Sequence, residues 1–381
     1  MKVFWRIVSL AGLLGLTACA KVEEQLKPVP LVKFTSTVGL KKVWSQSIGA
    51  GHDSFYNRFR VAVVGNTLYA ADEDGFVTAL DVTKGKTLWK HKLSKSLGGA
   101  VGAGEDLVLV GSLKGEVIAL SAATGAELWQ AQTTSSILTP PQTDGAVVIA
   151  LSSDGRLFAF DAKTGKKSWS YDHALPILTY RTQATPLLVE GQAYVGFDNG
   201  QLLSFAIRDG QLRWATRVGQ PKGRTELERV ADVDSSPVVQ GQLVYTASSN
   251  GRIVAINRST GRVVWSQNLS SLHDLAMNSS SIFASGVDSH VFAYNLETGD
   301  LAWENKELHR RNLAAPGVLG DYLAVIDEDD YLHLLKAGDG TFAARIKPAG
   351  SGFHSPLITV GDLLVVFSDS GVLSAYQLGN K

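Results

Sequence analysis

The densest group of side chains that could bind a cation is the acidic run at positions 327–330, Asp-Glu-Asp-Asp. Carboxylate oxygens are the ligands that Ca²⁺ and Mg²⁺ prefer. The run falls in a predicted hairpin turn, where acidic side chains commonly hydrogen-bond the backbone and remain solvated. Both interpretations are open, and we expect a solvated turn.

The histidines give no sign of a metal centre. None of the eight pairs with another at the spacing of a zinc motif. The chain also has neither a Gly-x-Ser-x-Gly nucleophile elbow nor a glycine-rich loop that would cradle phosphates. We therefore predict no catalytic residues, no metal ion and no cofactor.

The first residues have the pattern of an export signal. Lys2 and Arg6 precede an apolar run at positions 7–16, which is too short to span a bilayer as a helix. We interpret residues 1–18 as a signal peptide; the alternative is a short core helix.

The sequence Leu-Thr-Ala-Cys at positions 16–19 resembles the lipobox of bacterial lipoproteins. The resemblance implies cleavage before Cys19 and lipidation of its thiol, and Ala20 after the cysteine favours the outer membrane, facing the periplasm. Several acyl chains together make a lasting anchor. We assign residues 19–40, which contain Pro28 and Pro30, to a lipidated tether.

Charge excludes one class of partner. Without residues 1–18 the 36 acidic residues slightly outnumber the basic ones, so no basic excess is present to neutralise phosphates. A nucleic-acid partner is not expected.

Tryptophan recurs along the body of the chain with a period near 40 residues, which is typical of repeat architectures. The recurring positions are Trp44, Trp89, Trp129, Trp169, Trp214, Trp265 and Trp303. Eight copies of a turn–strand–turn pattern can be aligned on this period, each with branched or large apolar residues at fixed offsets on both strand faces. Four short strands per copy and no helical periodicity predict an all-β, eight-bladed β-propeller of four-stranded antiparallel blades over residues 41–381. A β-solenoid is the alternative.

The two ends of the chain fit together in this scheme. The last copy stops at Lys381 before its tryptophan position, whereas Trp44 has no turn motif before it. We predict that residues 43–46 add the missing outer strand to the last blade, which hides two sheet edges.

The pattern Ala-x-Asp-x-x-x-Gly-x-x-x-Trp, at 79–89 and 159–169, resembles the tryptophan-docking motif of quinoprotein dehydrogenases. That resemblance raises the alternative of an enzyme that uses pyrroloquinoline quinone. As a family those enzymes carry long insertions for the quinone and calcium, and many alcohol dehydrogenases carry a vicinal cysteine pair. This chain has no long insertion, and Cys19 is its only cysteine. We therefore favour a protein that is not an enzyme.

Two segments lengthen the tryptophan spacing, residues 171–185 and residues 217–234. Both follow the outermost strand of a blade, so they are expected on one face, beside each other. Apolar and aromatic side chains beside charges suit a protein-binding patch. The alternative is that Arg181 and Arg229 only pair with Asp232 and Asp234 to hold the loops.

The lipobox, the tether, the propeller and above all the sequence GRTELERVADVDSSPVV ending at Val239 resemble the BamB family, lipoprotein subunits of the β-barrel assembly machinery. The resemblance covers essentially the whole chain. It implies a non-enzymatic scaffold on the periplasmic face of the outer membrane that binds the periplasmic domains of BamA and aids folding and insertion of outer-membrane proteins. Leu178, Tyr180 and Arg181 fit one family loop, and Asp232 and Asp234 fit the Asp-x-Asp of the other. Direct contact with unfolded client proteins stays open.

Overall fold

A computed structural model describes residues 27–52, 59–180, 184–222, 224–225 and 229–380. These residues form 32 strands in eight four-stranded antiparallel sheets, with no α-helix among them. Within the same described ranges, no helix has the length and apolar character needed to cross a membrane. The sheets are the blades of the predicted all-β propeller.

The strands, all short, are numbered in chain order. Those of the first four full blades are β2 (Ala62–Val64), β3 (Thr67–Ala71), β4 (Phe76–Asp81), β5 (Thr87–Lys92), β6 (Leu97–Gly104), β7 (Leu107–Ser112), β8 (Glu116–Ser121), β9 (Glu127–Gln132), β10 (Gln142–Thr143), β11 (Val147–Leu151), β12 (Arg156–Asp161), β13 (Lys167–Asp172), β14 (Leu187–Val189), β15 (Gln192–Phe197), β16 (Gln201–Ala206) and β17 (Leu212–Arg217). Those of blades five to eight are β18 (Val238–Gln240), β19 (Leu243–Ala247), β20 (Arg252–Asn257), β21 (Val263–Asn268), β22 (Ala276–Met277), β23 (Ser281–Ser285), β24 (Val291–Asn295), β25 (Leu301–Asn305), β26 (Gly317–Leu319), β27 (Tyr322–Ile326), β28 (Leu332–Lys336), β29 (Phe342–Ile346), β30 (Ile358–Val360), β31 (Leu363–Phe367), β32 (Val372–Gly379) and β1 (Gly39–Ser47).

The first strand closes the ring. In the eighth sheet the order is β30, β31, β32 and β1, so the outer strand comes from the N-terminal end of the propeller. Trp44 lies opposite Ala375 in this antiparallel pair. The predicted closing strand at residues 43–46 is confirmed as the centre of a longer strand.

The third strand of each blade is buried on both faces because it faces a neighbouring sheet on either side. In β12, for example, Leu157 is 0 % and Phe160 is 1 % exposed although their side chains point to opposite faces. The repeated apolar offsets therefore report the stacking of blades.

Every tryptophan of the series joins its blade to the next by one recurring contact. The indole N–H donates to a backbone carbonyl of the following blade over 2.7 to 2.9 Å, as in the pairs Trp44–Val82, Trp89–Ala122, Trp129–Ala162, Trp169–Ile207, Trp214–Arg258, Trp265–Leu296 and Trp303–Ala337. The ring rests on the turn glycine of that blade. A Cβ added to Gly125, whose φ is +73°, would stand 2.5 Å from Cε3 of Trp89.

The eighth interface lacks this contact because blade eight has no turn between its last two strands, which are the two ends of the propeller. Ala344 occupies the tryptophan position of blade seven, is 2 % exposed, and packs in one cluster with Leu40 and Leu378. Its small side chain fits a seam where the glycine turn is missing.

Part of the segment assigned to the tether lies against blade seven. Arg311 and Arg345 each donate to a backbone carbonyl of this segment, that of Val29 and that of Val32, over 3.0 Å. Phe34 stacks on Phe342 at 5.3 Å between ring centroids. The chain is thus held to the propeller from Val29 onward.

The acidic run has a structural use at this place. Asp327 is 3 % exposed and accepts hydrogen bonds from Arg311 at 2.7 Å and from His333 at 2.9 Å. Burial opposes its ionisation, but these donors outweigh burial and hold the pKa of the Asp327 carboxyl below its usual value. The first acidic residue of the run is therefore a buried partner of Arg311, and the expectation of a fully solvated turn was wrong for it.

Candidate partner-binding surface

The two long connections lie side by side on one face of the propeller. We call residues 173–186, which join β13 to β14, loop A, and residues 218–237, which join β17 to β18, loop B. Each runs from the outer strand of one blade to the inner strand of the next, so both emerge on the same face and flank blade four. This is the predicted arrangement.

Loop A presents apolar side chains to solvent. Ile177 is 92 %, Leu178 is 46 % and Tyr180 is 39 % exposed. Contiguous exposed apolar side chains mark interaction sites more often than isolated ones do. Of the sequence-predicted contact residues, Leu178 and Tyr180 thus lie where a partner could reach them.

Asp232 and Asp234 have a different environment, since they are 0 % and 1 % exposed. Oδ2 of Asp232 accepts a hydrogen bond of 2.7 Å from the backbone N–H of Tyr180, which joins loop B to loop A. Both carboxylates are buried away from the surface, and Asp232 connects the two loops. Arg181, the remaining predicted contact residue, lies outside the described residues, as does Cys19.

The carboxyl of Asp232 is held largely out of water. Burial raises its pKa to about 7, the hydrogen bond from the Tyr180 amide opposes the rise, and the nearby Asp198 carboxyl adds to it. Burial also raises the pKa of Asp198 to about 6. Oδ1 of Asp232 receives no hydrogen bond from any described residue. Near neutral pH this site therefore carries less negative charge than two carboxylates would suggest.

Loop B can approach blade four closely because of two glycines, Gly200 in blade four and Gly219 at the start of loop B. A Cβ at Gly200 would stand 2.6 Å from the carbonyl oxygen of Ala231, and one at Gly219 would stand 2.1 Å from the same atom. Real Cβ atoms do not come so close, so only glycine permits this path. The backbone of residues 231–233 is fixed on the blade, and Asp232 is fixed with it.

A second connection between the loops passes through Ser236 and reaches across the central channel. Its hydroxyl accepts from the Thr185 amide at 3.0 Å and from Nη2 of Arg60 at 2.9 Å. Arg60 precedes the inner strand of the first full blade, opposite the fifth, where Ser236 lies. Arg60 also forms an ion pair with Asp274, whose carboxyl accepts from the Ser236 amide at 2.8 Å.

The charge of Arg60 matters for Asp274. Burial favours the neutral form of that carboxyl, but the guanidinium and the hydrogen bonds of Ser236 outweigh burial and lower its pKa. The ends of loops A and B that lead into the next inner strands are therefore joined by a hydrogen-bonded cluster that contains the ion pair of Arg60 and Asp274.

A cavity of about 140 Å³ lies between the two loops. Ile177 and Leu178 line it from loop A, Arg229 from loop B and Asp198 from blade four. In the described part of loop B, the exposed charged side chains are Lys222, Arg224 and Arg229. The described surface is therefore apolar beside positive charge.

Sequence reasoning did not select Ile177, Asp198 or Arg60 as site residues. Ile177 could have been found from the sequence, because it precedes Leu178 in the same apolar segment of loop A. Asp198 and Arg60 carry no motif, since their importance depends on how distant segments meet.

The molecule falls in the class of tryptophan-docked β-propellers. The chain belongs to the family described as outer membrane protein assembly factor BamB, whose model matches residues 73–305 and 287–379. The factor of that name from Pseudomonas aeruginosa is 43 % identical over 378 residues, covering 99 % of this chain and 100 % of its own.

Solved structures show the same fold. The structure of BamB from Moraxella catarrhalis superposes with a TM-score of 0.81 at 28 % identity, covering 89 % of this chain and 100 % of that one. A quinohemoprotein alcohol dehydrogenase from Comamonas testosteroni has a TM-score of 0.70 at 14 % identity, covering 90 % of this chain and 77 % of its own. At that identity the likeness shows the fold alone. Membership of the assembly-factor family associates this chain with the outer membrane.

Proposed function

We propose that the chain is a non-enzymatic scaffold of the outer-membrane β-barrel assembly machinery. In this role it is lipidated at Cys19, faces the periplasm and binds the periplasmic domains of BamA through loops A and B. By doing so it supports folding and insertion of outer-membrane proteins.

The observation that carries the proposal is a pair of exposed aliphatic side chains in loop A, whose backbone is hydrogen-bonded to loop B on either side of residues 181–183. Ile177 and Leu178 face solvent, while the bonds of Tyr180 to Asp232 and of Thr185 to Ser236 fix the backbone beside them. Covering one large aliphatic side chain contributes about 1.5 to 3 kcal/mol. A loop that is ordered before binding loses less conformational entropy on association.

The N-terminal segment supports the anchored orientation. Because Val29 is already held by Arg311, only ten Cα–Cα steps separate the lipidated Cys19 from the part of the chain held on the ring. Fully extended, they reach at most about 35 Å. The propeller would thus stay close to the membrane surface.

Co-purification tests the partner and the surface separately. From mild-detergent membranes the wild-type chain should carry BamA, and Leu178→Asp and Arg181→Ala should each lose it. Leu128→Asp is the matched control, since Leu128 is 53 % exposed on the outer strand β9, away from both loops. Absence of BamA from the wild type contradicts the function; its retention by both variants and their combination contradicts only the surface.

A quinone-dependent oxidoreductase is the second candidate, and the shared propeller fold is the observation in its favour. We expect no dye-linked oxidation of alcohols or aldoses after addition of pyrroloquinoline quinone and Ca²⁺. Quinone absorbance retained on the protein together with such oxidation would replace the scaffold proposal.

A further inference from the structure

Two histidines 19 positions apart meet on the face that carries loops A and B. His290 lies in the turn between β23 and β24, and His309 lies in the connection after β25. Nε2 of His290 and Nδ1 of His309 are 3.1 Å apart. Together with the carboxylate of Asp288, they offer three ligand atoms that all lie within 4.8 Å of one another.

A fourth side chain fixes the orientation of His290. Oε1 of Glu304 lies 2.8 Å from Nδ1 of this ring, and Oδ2 of Asp288 lies 3.2 Å from the same atom, so Asp288 would turn toward the ion on metal binding while Glu304 keeps its place. A carboxylate at that distance keeps the proton on Nδ1, which leaves a lone pair on Nε2. In metal sites a ligating histidine commonly donates its other N–H to such a carboxylate.

The backbone around the cluster is also fixed. The amide of Arg310 donates to the carbonyl oxygen of Asp288 over 2.9 Å, so the connection after β25 is tied to the turn. Leu308 is fully buried beside it. The histidines are therefore positioned by the fold before any ligand arrives.

Solvent reaches the cluster from a groove. A cavity of about 390 Å³ is lined by Asp288, Val287 and Phe292, and Lys222 of loop B borders it. The Asp288 side chain is 43 % exposed, whereas that of His290 is 15 % exposed. An ion could enter from this side, and a water molecule could complete its coordination.

We propose that Asp288, His290 and His309 form a binding site for one divalent transition-metal ion of the Zn²⁺ class. Zn²⁺ favours imidazole and carboxylate ligands in a tetrahedral arrangement. With bonds of about 2.0 to 2.1 Å, two ligating nitrogens of such a site lie about 3.3 Å apart, close to the separation of these two rings.

Metal binding needs no net release of protons from the two rings. Without metal, Nδ1–H of His309 donates to Nε2 of His290. With metal, both nitrogens bind the ion, and the proton of His309 resides on its own Nε2. Glu304 keeps its hydrogen bond in both states.

A hydrogen-bonded chain from Glu304 through His290 to His309 is the competing account of this geometry. Lys306, 3.1 Å from Oε2 of Glu304, already supplies that carboxylate with a cation. The two accounts differ in metal uptake, because the hydrogen-bonded chain alone predicts none.

The test uses the full chain in detergent after treatment with a chelator. Titration with ZnCl₂ against a chromophoric competitor should give one tight site per chain, and Co²⁺ should give the absorption bands of a tetrahedral site. His290→Ala and His309→Ala should each weaken binding about 100-fold or more, and Glu304→Gln by about 10- to 100-fold. His91→Ala is the control, since His91 lies on β5, far from the cluster, and it should bind like the wild type.

Circular dichroism of the metal-free variants establishes that they are folded; if His290→Ala is not, His309→Ala and Asp288→Asn carry the test. Failure of the wild type to take up Zn²⁺ and Co²⁺ would overturn the proposal. Undiminished uptake by the folded histidine variants would overturn it equally.

Discussion

The backbone N–H of Tyr180 donates a 2.7 Å hydrogen bond to Oδ2 of Asp232, and this bond joins two loops that are 52 positions apart in sequence. Tyr180 is exposed and Asp232 is fully buried. The resemblance groups these residues as one set of partner contacts. In the structure, Tyr180 is accessible to a partner, whereas Asp232 holds the Tyr180 backbone in place.

Asp232→Ala and Asp232→Asn should therefore behave differently. Alanine removes the acceptor for the Tyr180 amide, so loop A loses its connection and BamA should be lost from co-purification. Asparagine keeps a carbonyl oxygen for that amide and should retain most of the binding. If both variants lose BamA equally while remaining folded, the charge of Asp232 matters more than its hydrogen bond.

The raised pKa of Asp232 predicts a dependence of stability on pH. A carboxyl whose pKa rises from 3.8 to about 7 on folding favours the folded state below pH 4 and loses that contribution as the pH rises to 7. Between pH 5.5 and 8 this corresponds to about 2 kcal/mol of unfolding free energy.

Urea unfolding of the wild type and Asp232→Asn at pH 5.5 and pH 8 measures this contribution. Asp198, whose pKa burial raises to about 6, titrates in the same range, so only the difference between the two proteins is informative. The variant should gain stability relative to the wild type as the pH rises. Equal changes in both proteins would show that Asp232 ionises normally.

Arg60→Ala should destabilise the protein by about 3 kcal/mol, because it leaves the buried Asp274 carboxylate without its cation. The double variant with Asp274→Ala should recover part of this loss. Hydrogen exchange of the Thr185 amide should accelerate in Arg60→Ala, since Ser236 is then less firmly held. A change in stability without faster exchange at Thr185 would separate the channel cluster from loop A.

Gly125→Ala tests the tryptophan contact. The new Cβ would meet the ring of Trp89, and the residue would keep a φ of +73°. We expect a loss of about 3 kcal/mol in urea unfolding. Gly241→Ala is the matched control, because Gly241 has a φ of +57° but no atom within 4 Å of an added Cβ. It should lose only about 1 kcal/mol. Equal losses would mean that the cost at Gly125 comes from backbone strain and not from the contact with Trp89.

The fold could be predicted because its determinants are local and repeated. The tryptophan period near 40 residues and the apolar offsets seen at Leu157 and Phe160 recur along the chain, so one pattern specified the whole ring. The orphan Trp44 even indicated how the ring closes. The loops were visible as departures from that period.

The inner organisation of the site was not predictable in the same way. Nothing in the Asp-x-Asp sequence shows that Asp232 is buried, because its burial depends on the path of loop B over Gly200 and Gly219. Arg60 meets Ser236 only after the ring has formed, and His290 meets His309 only when blade six has folded. Spacing rules for metal ligands miss such pairs because they assume ligands on one local element.

The pairing of β1 with β32 also constrains how the protein acquires its structure. β1 is synthesised well before its partner β32, so the eighth blade cannot be completed until β32 is available. Until then β1 and the seventh blade have unpaired edges. Unpaired strand edges promote aggregation with other chains. Contacts between such distant segments also form slowly. The blade that closes the ring is therefore the last one that can form, and its edges need protection until it does.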